Sequence, residues 1–431
     1  MVLARLIAHL DMNSFFVSCE RLVDPSLVGK PVVVGGPRDA RGVVASASYE
    51  ARAFGVHSAM PLREAAKRCP KAVFLPGNPA LYSKLSRRVY ALLKRMAPKV
   101  EYASIDEFYL DLTGCEKLYG SDPAGMARRI RKAVLERTGL SCTVAIASNK
   151  YVAKIAGKTV KPKTFLPQGT QRSQRDAGLG NAKREQGERQ HEGTVVVSGG
   201  KEAEFLAGLP IESLHGAGEK TQPHLRDLGV RRIGDLAAIP LERLKGRFGE
   251  AGGEWLYEAC RGIDDSPVET EHEAKSVGHE HTFDVDTGDE ALVKRTLSWL
   301  SEKTCFRLRR LGRRARTVTL KLRYKGFETL TRARTVAATC EDTAVTRTAL
   351  DLLAANWDRD RKVRLIGVSL SKFEEGSGEQ ADWLFPGMGD GRKEALARAA
   401  DVVKRRFGAR KVQRASSLDA EDSRHLSESS E

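Results

Sequence analysis

The residues best able to do chemistry are three carboxylates in two places: Asp11, which closes a short apolar run, and the adjacent pair Asp106 and Glu107 inside Ser104-Ile105-Asp106-Glu107. Acidic oxygens gathered at one point repel one another unless cations lie among them, and Mg²⁺ is the ion suited to carboxylate and phosphate oxygens together. Two such ions, about 3.5–4 Å apart, can activate a hydroxyl, hold a leaving oxygen and neutralise an in-line phosphoryl transition state. Nucleotidyl transfer and nuclease cleavage both use that arrangement. Singly, each carboxylate reads as a surface or turn residue, so the inference depends on elements that bring them together.

Those elements follow an ordered pattern. Residues 3–10 read as a buried strand that ends at Asp11. Leu81, Leu85, Val89, Leu92, Leu93 and Met96 share one helical face, opposite Lys84, Arg87, Arg88, Lys94 and Arg95. Residues 100–112 read as two strands with Asp106 and Glu107 near their turn. Asp122 and Pro123 open a further helix, as N-cap and first-turn proline, that runs to about residue 137, and residues 142–147 supply a last strand. The order β-α-β-β-α-β is the split ferredoxin-like arrangement. With the first strand central, its end can lie against the hairpin turn. That turn lets neighbouring carboxylates converge, whereas in a regular strand residues 106 and 107 would face opposite ways.

The remainder is organised around this sheet. Residues 15–80, rich in Gly and Pro, read as an inserted subdomain, and residues 164–193 lose apolar periodicity and read as a flexible insertion. Short helices return over residues 201–260, where Gly216-Ala217-Gly218 resembles the turn of a helix-hairpin-helix, able to offer backbone N–H groups to a phosphate. A second β-α-β-β-α-β pattern spans residues 276–372. It contains Arg307, Arg309, Arg310, Arg313, Arg314 and Arg316, read as one face tracking a phosphate backbone. A basic helix is expected over residues 390–410 and a disordered acidic tail over 420–431.

Composition bounds the partners. The chain has 431 residues, 41% of them hydrophobic and 30% charged, with a formal charge of +16. That length calls for several domains, and that field attracts polyanions, nucleic acid first. No apolar run of about 18 residues could span a bilayer, and Asp11 interrupts the N-terminal run where a secretion signal would need a cleavage site. Seven scattered cysteines without a C-x-x-C pair fit a reducing cytoplasm and neither a disulfide framework nor a zinc site.

Five strings, DMNSFFVSCE (11–20), SASYEARAFGV (46–56), PLREAAKRCP (61–70), SIDEFYLDLTG (104–114) and ASNKYVAKIAGKTVKP (147–162), together resemble the core of Y-family translesion DNA polymerases, in the right order. FLAGLPIESLHGAGEKT is similar to that family's thumb, and KSVGHEHTF opens a stretch similar to its little finger. The resemblance implies an α+β multidomain right hand: palm 1–14 and 81–163, fingers 15–80, thumb 194–265 and little finger 275–415. It implies Asp11, Asp106, Glu107 and the Met12 carbonyl as metal ligands, two Mg²⁺ ions per site with Mn²⁺ as the alternative, and primer-template DNA and deoxynucleotides as substrates. Phe16 would be the steric gate against ribose, beside Phe15, and Ser46, Tyr49, Arg52 and Lys161 would meet the triphosphate. Gly216, Gly218, Lys220, Arg307, Arg310, Arg313 and Arg314 would meet DNA. Low fidelity and lesion bypass by a monomer without proofreading are expected. Residues 380–385 (Gln-Ala-Asp-Trp-Leu-Phe) resemble a sliding-clamp docking motif. Asn13, where the family often has a second Asp, and the segment after Ala156, which lacks the family's Asp and its Gly after Lys-Pro, depart from the pattern. A non-catalytic scaffold of a mutagenesis complex, a two-metal nuclease and a plain basic DNA-binding module are the competing readings. Phe16 and the triphosphate residues argue against the second, and the retained acids against the first and third.

Overall fold

The computed structural model describes residues 5–120, 122–162, 193–271, 273–375 and 390–407. The insertion read at 164–193, apart from Gly193, the clamp-like residues 380–385 and the tail 420–431 lie outside them. The chain divides into two compact units, residues 1–272 and 273–431.

In the first unit the chain runs through β1 (Ile7–Met12), α1 (Phe15–Val23), β2 (Val32–Val34), β3 (Ser46–Ala47), α2 (Tyr49–Arg52), α3 (Leu62–Arg68), β4 (Val73–Leu75), α4 (Pro79–Leu93), β5 (Lys99–Tyr102), β6 (Glu107–Asp111), α5 (Glu116–Tyr119), α6 (Pro123–Thr138), β7 (Cys142–Ala147), α7 (Lys150–Thr159) and β8 (Thr194–Val196). Five short helices follow: α8 (Glu202–Ala207), α9 (Thr221–Asp227), α10 (Ile233–Ala237), α11 (Leu241–Phe248) and α12 (Glu250–Ala259). The main sheet has the order β5-β6-β1-β7-β8. β1 is central as expected, antiparallel to both neighbours, and its six residues are all buried. A strand buried on both faces reads as a continuous apolar run rather than an alternating one, which explains Ile7-Ala8-His9-Leu10.

Local signals behave as their chemistry requires. The Asp122 side chain accepts from Gly125 N–H at 2.7 Å with Pro123 in the first turn, and Asn78 caps α4 in the same way, before Pro79. Two readings need correction. The sheet does not end at Ala147, because β8, read as the start of the thumb, pairs parallel with β7; three residues beyond a long polar stretch carry too little periodicity to be read as a strand. Helix α1, read as the start of the fingers, buries Phe15, Val17 and Cys19 in the same core as Leu10, Phe108, Ile130 and Val144. The segment from β2 to β4 has its own small sheet, β3-β2-β4, and a core around Val33, Met60 and Leu62. Helix α7 shares a third core with the short helices that follow β8, through Val152, Ile155, Leu206 and Ile233.

The second unit is β9 (Ser276–Thr287), α13 (Glu290–Arg310), β10 (Arg313–Tyr324), β11 (Thr329–Thr339), α14 (Asp342–Asn356), β12 (Val363–Glu375) and α15 (Asp390–Phe407), with the sheet order β11-β10-β12-β9. The expected element order holds throughout. The arginine run, however, does not form one face. Arg309 points inward, where Nε and Nη2 donate to the two Asp401 oxygens at 2.6 and 2.9 Å and Nη1 donates to Asp342 at 2.7 Å and to the Cys340 carbonyl at 2.8 Å. Arg316 pairs with Glu374, and Arg313 and Arg314, being successive strand residues, face opposite sides of the sheet. A planar fork that satisfies two carboxylates ties α13, α14 and α15 together.

Removing one member of so buried a set leaves charges without partners. Arg309→Ala is expected to destabilise the second unit by roughly 3–5 kcal/mol, read as a lowered urea midpoint, with Arg309→Lys intermediate.

Candidate active site

β1 and β6 pair antiparallel with Asp11 directly opposite Glu107. Asp106 lies in the turn just before β6, where its carbonyl accepts from Met12 N–H at 2.9 Å and fastens the turn to the end of β1. The Ser104 hydroxyl donates to Asp106 Oδ1 at 2.6 Å and accepts from Glu107 N–H at 3.1 Å. The turn therefore sets adjacent carboxylates toward one place, as the sequence required.

That place is a cavity of about 300 Å³ lined by Asp11, Met12, Ser14, Phe15, Phe16, Ala45, Ser46, Tyr49, Arg52, Ser58, Asp106, Glu107 and Lys161. Every residue expected from the sequence to hold metal or nucleotide is in this wall. On the side carried by α2, Ser48 caps that helix by accepting from Ala51 N–H at 3.2 Å, so Tyr49 and Arg52 fall one turn apart on the same side. Arg52 Nε donates to the Ala47 carbonyl at 3.0 Å, and its guanidinium lies 5.3 Å from the Tyr49 ring. Between β1 and α1 the chain turns through Ser14 at φ +44°, a left-handed conformation that costs a non-glycine residue about 1 kcal/mol. Phe15 then enters the core at 3% exposed, and Phe16 stacks on Tyr82 with ring centroids 4.4 Å apart. The Tyr82 hydroxyl donates to Glu20, so the ring behind Phe16 is itself held.

Electrostatics mark the carboxylates. Burial pushes the Asp11 carboxyl up to about 6, with Lys161 opposing and the Glu107 and Asp106 charges adding. Burial also acts on Glu107, but the Lys154 ammonium beside it outweighs burial and holds that carboxyl below its ordinary value. Lys161 Nζ is 2.8 Å from Asp11 and Lys154 Nζ is 2.6 Å from Glu107. Two ammonium groups thus already stand where opposite charge is needed. An all-oxygen set this close suits a hard divalent ion, and the residues present fit one.

Sequence reasoning missed several participants. His9 is 1% exposed, two residues before Asp11 on the same side of β1, with Nε2 3.8 Å from Glu107; burial lowers its pKa to about 3 and keeps it neutral. His9, Asp11 and Glu107 place ligand-capable atoms within 4.8 Å of one another. A lone histidine in an apolar strand carried no signal. Lys154 did, because Lys150, Lys154, Lys158 and Lys161 recur at helical spacing. Asn13 is not in the cavity wall; its side chain bonds Ser141 and Thr143, so the departure from Asp there does not touch the carboxylate set.

The expected DNA-contact residues lie elsewhere. Gly216 has φ +98° and a Cβ there would meet Trp255 at 2.5 Å, so packing alone demands glycine. Gly218 is open and Lys220, at the N-cap of α9, is exposed. Arg307 and Arg310 are exposed on α13, while Arg313 and Arg314 are half-buried at the start of β10.

Comparison with known proteins agrees with this geometry. The model of the impB/mucB/samB family matches residues 10–158, that family's C-terminal domain matches residues 274–383, and the thumb domain of DNA polymerase-iota matches residues 212–264. A DNA polymerase IV of Dehalococcoides mccartyi is 39% identical over 95% of this chain and 96% of its own, and one of Methanoculleus marisnigri is 39% identical over 88% and 97%. Among solved structures, a Y-family DNA polymerase chimera superposes with TM-score 0.70 at 25% identity over 85% of this chain and 98% of its own. The insertion ternary complex of Dbh DNA polymerase gives 0.57 at the same identity and coverage. Among the described residues no helix is long and apolar enough to cross a membrane.

The raised Asp11 carboxyl makes a prediction about stability. Its folded value of about 6 exceeds the ordinary 3.8, so its cost to the metal-free fold is present in full above pH about 6 and fades as pH falls toward 4. In EDTA, Asp11→Asn is expected to be more stable than wild type by roughly 1–3 kcal/mol at pH 7.5, with the gap closing at pH 4 to 5 in denaturant titrations. A gap independent of pH would assign it to another cause.

Proposed function

The chain belongs to the Y family of DNA polymerases, and from that premise we propose that Asp11, Asp106 and Glu107, with the Met12 carbonyl, hold two Mg²⁺ ions at the floor of the cavity. The protein is a template-directed, metal-dependent DNA polymerase of the translesion class, and its substrate is DNA. The observation that carries the assignment of residues is the cavity itself, where carboxylates from β1, the β5–β6 turn and the start of β6 share one space with Lys161 and with Arg52, Ser46 and Tyr49 of the fingers.

The reaction joins the primer 3′-oxygen to the α-phosphorus of an incoming deoxynucleotide and breaks the bond to the departing pyrophosphate. The bound ions supply activation of the attacking hydroxyl and neutralisation of the phosphoryl charge. The chain's own groups do the rest. Arg52 presents a planar fork and Lys161 a point charge to the triphosphate, with Tyr49 and Ser46 as neutral donors. Lys161 is then drawn from Asp11 to phosphate, and Lys154 continues to hold Glu107 in place. Phe16, backed by Tyr82, closes the space beneath the sugar against a 2′-hydroxyl. Gly216, Gly218 and Lys220, and Arg307 and Arg310 with one of Arg313 and Arg314, which face opposite sides of β10, would meet DNA through its phosphates, which favours grip without base reading and fits low fidelity and tolerance of lesions. Action as a monomer in the cytoplasm belongs to the same reading, supported by seven cysteines that are all unpaired and buried. Docking on a sliding clamp through residues 380–385 belongs to it as well. The nuclease and scaffold alternatives leave the triphosphate wall without a use.

Primer extension with Mg²⁺ on undamaged and abasic templates tests the assignment. Asp106→Ala/Glu107→Ala is expected to lose about 10³-fold or more in rate while binding DNA as wild type does; extension at the wild-type rate would remove these carboxylates from the site. Phe16→Ala is expected to raise ribonucleotide incorporation while deoxynucleotide incorporation stays measurable. An unchanged sugar preference would end the gate assignment.

A further inference from the structure

At Phe327 backbone and side chain both run against ordinary folding preferences. It closes the short connection between β10 and β11, where Tyr324 N–H donates to the Glu328 carbonyl at 2.9 Å and Phe327 N–H donates to the Tyr324 carbonyl at 3.1 Å. Gly326 has φ +94° and Phe327 φ +71°. Glycine takes that region freely, but for a bulky aromatic it is a true outlier. The ring is also 62% exposed. Strain of this kind persists only where its surroundings impose it, and it concentrates at binding and catalytic positions.

The surroundings are cationic and ordered. The Arg364 guanidinium lies 4.2 Å from the Phe327 ring centroid and 3.9 Å from Asp286, which orients it. Arg361 lies 4.1 Å from the Tyr324 ring and pairs with Glu328 at 2.6 Å. Lys325 N–H donates to the Lys362 carbonyl at 2.9 Å, so two lysines leave the backbone at neighbouring points. Both are exposed, and among the described residues neither is in an ion pair. An apolar partner surface would call for further apolar groups beside the ring, yet its exposed chain neighbours are Lys325, Gly326, Glu328 and Thr329. An exposed aromatic edged by available cations suits single-stranded nucleic acid, in which every base has a face to stack and every linkage a charge to meet.

We infer that Phe327 is a stacking platform for one unpaired base of single-stranded DNA, with Lys325 and Lys362 meeting the phosphates on either side. Arg364, held by Asp286, fixes the plane of the ring, and the left-handed backbone at Phe327 is retained because it presents that ring to solvent. None of these residues lines the carboxylate cavity, so failure of either assignment does not touch the other.

The test uses the full chain in EDTA with a dT oligonucleotide carrying one 5-iododeoxyuridine, irradiated and digested with trypsin. A crosslink on the peptide from Gly326 to Arg332 is expected, together with about fivefold or greater loss of single-strand affinity in Phe327→Gly, near wild-type affinity in Phe327→Trp, and unchanged affinity of both for blunt duplex. Glycine relieves the backbone strain, so Phe327→Gly should melt no lower than wild type, which separates loss of the platform from loss of the fold. Crosslinks found only elsewhere, with Phe327→Gly binding single strands as wild type does, overturn the proposal. So does an equal loss of duplex and single-strand binding, which would make the hairpin a phosphate contact, and so does unchanged DNA binding with loss of a protein partner.

Discussion

Two carboxylates must be held side by side inside a sheet with little water to screen them. Asp11 and Glu107 are opposite one another because β1 and β6 pair antiparallel in that register, and a slip of one residue would turn Asp11 to the other face. The register is defended by the core beneath it, where Leu10, Phe108, Leu110 and Val144 are completely buried. The repulsion is offset by the ammonium groups of Lys154 in α7 and of Lys161, two residues past its end. Because α7 also shares a core with the short helices after β8, the charge balance of the site is mechanically tied to the part of the unit that follows the main sheet.

The opposite wall is made more cheaply. Tyr49 and Arg52 need only one capped helical turn to face the same way, and a two-strand platform to carry it. Phe15 and Phe16 show how a single turn divides similar neighbours, one becoming core and the other cavity wall on a stacked tyrosine. The strained link at Ser14 sets that division. At Ser14 a residue without glycine's freedom is kept in the left-handed region, and the next group, Phe15, enters the core from it.

The arginines of the second unit carry the same lesson about charge. Arg309 and Arg310 are neighbours in the chain, yet one is locked between Asp342 and Asp401 and the other lies exposed over Phe306. Ionisable groups of one type divide into fold and function according to burial, which a linear run of basic residues does not reveal.

Much of this was legible beforehand. Apolar spacing located α4, Asp122 and Pro123 located the start of α6, and periodicity gave the element order around both sheets, because those signals are local; the Asn78 cap of α4 appears only in the structure. The composition of the site was legible too, since Asp11, Asp106, Glu107, Phe16, Tyr49, Arg52 and Lys161 occur in ordered strings that resemble the Y-family core. Local signals could not specify what depends on pairing across the chain. The three-residue strand β8, the place of α1 in the core of the main sheet, the inward turn of Arg309 and the presence of His9 and Lys154 beside Glu107 each require a contact between distant residues. The sequence by itself determined which chemical groups the site contains and what they could do together. Only the tertiary structure decided which of them meet, because burial, register and charge pairing are properties of neighbours in space rather than in the chain.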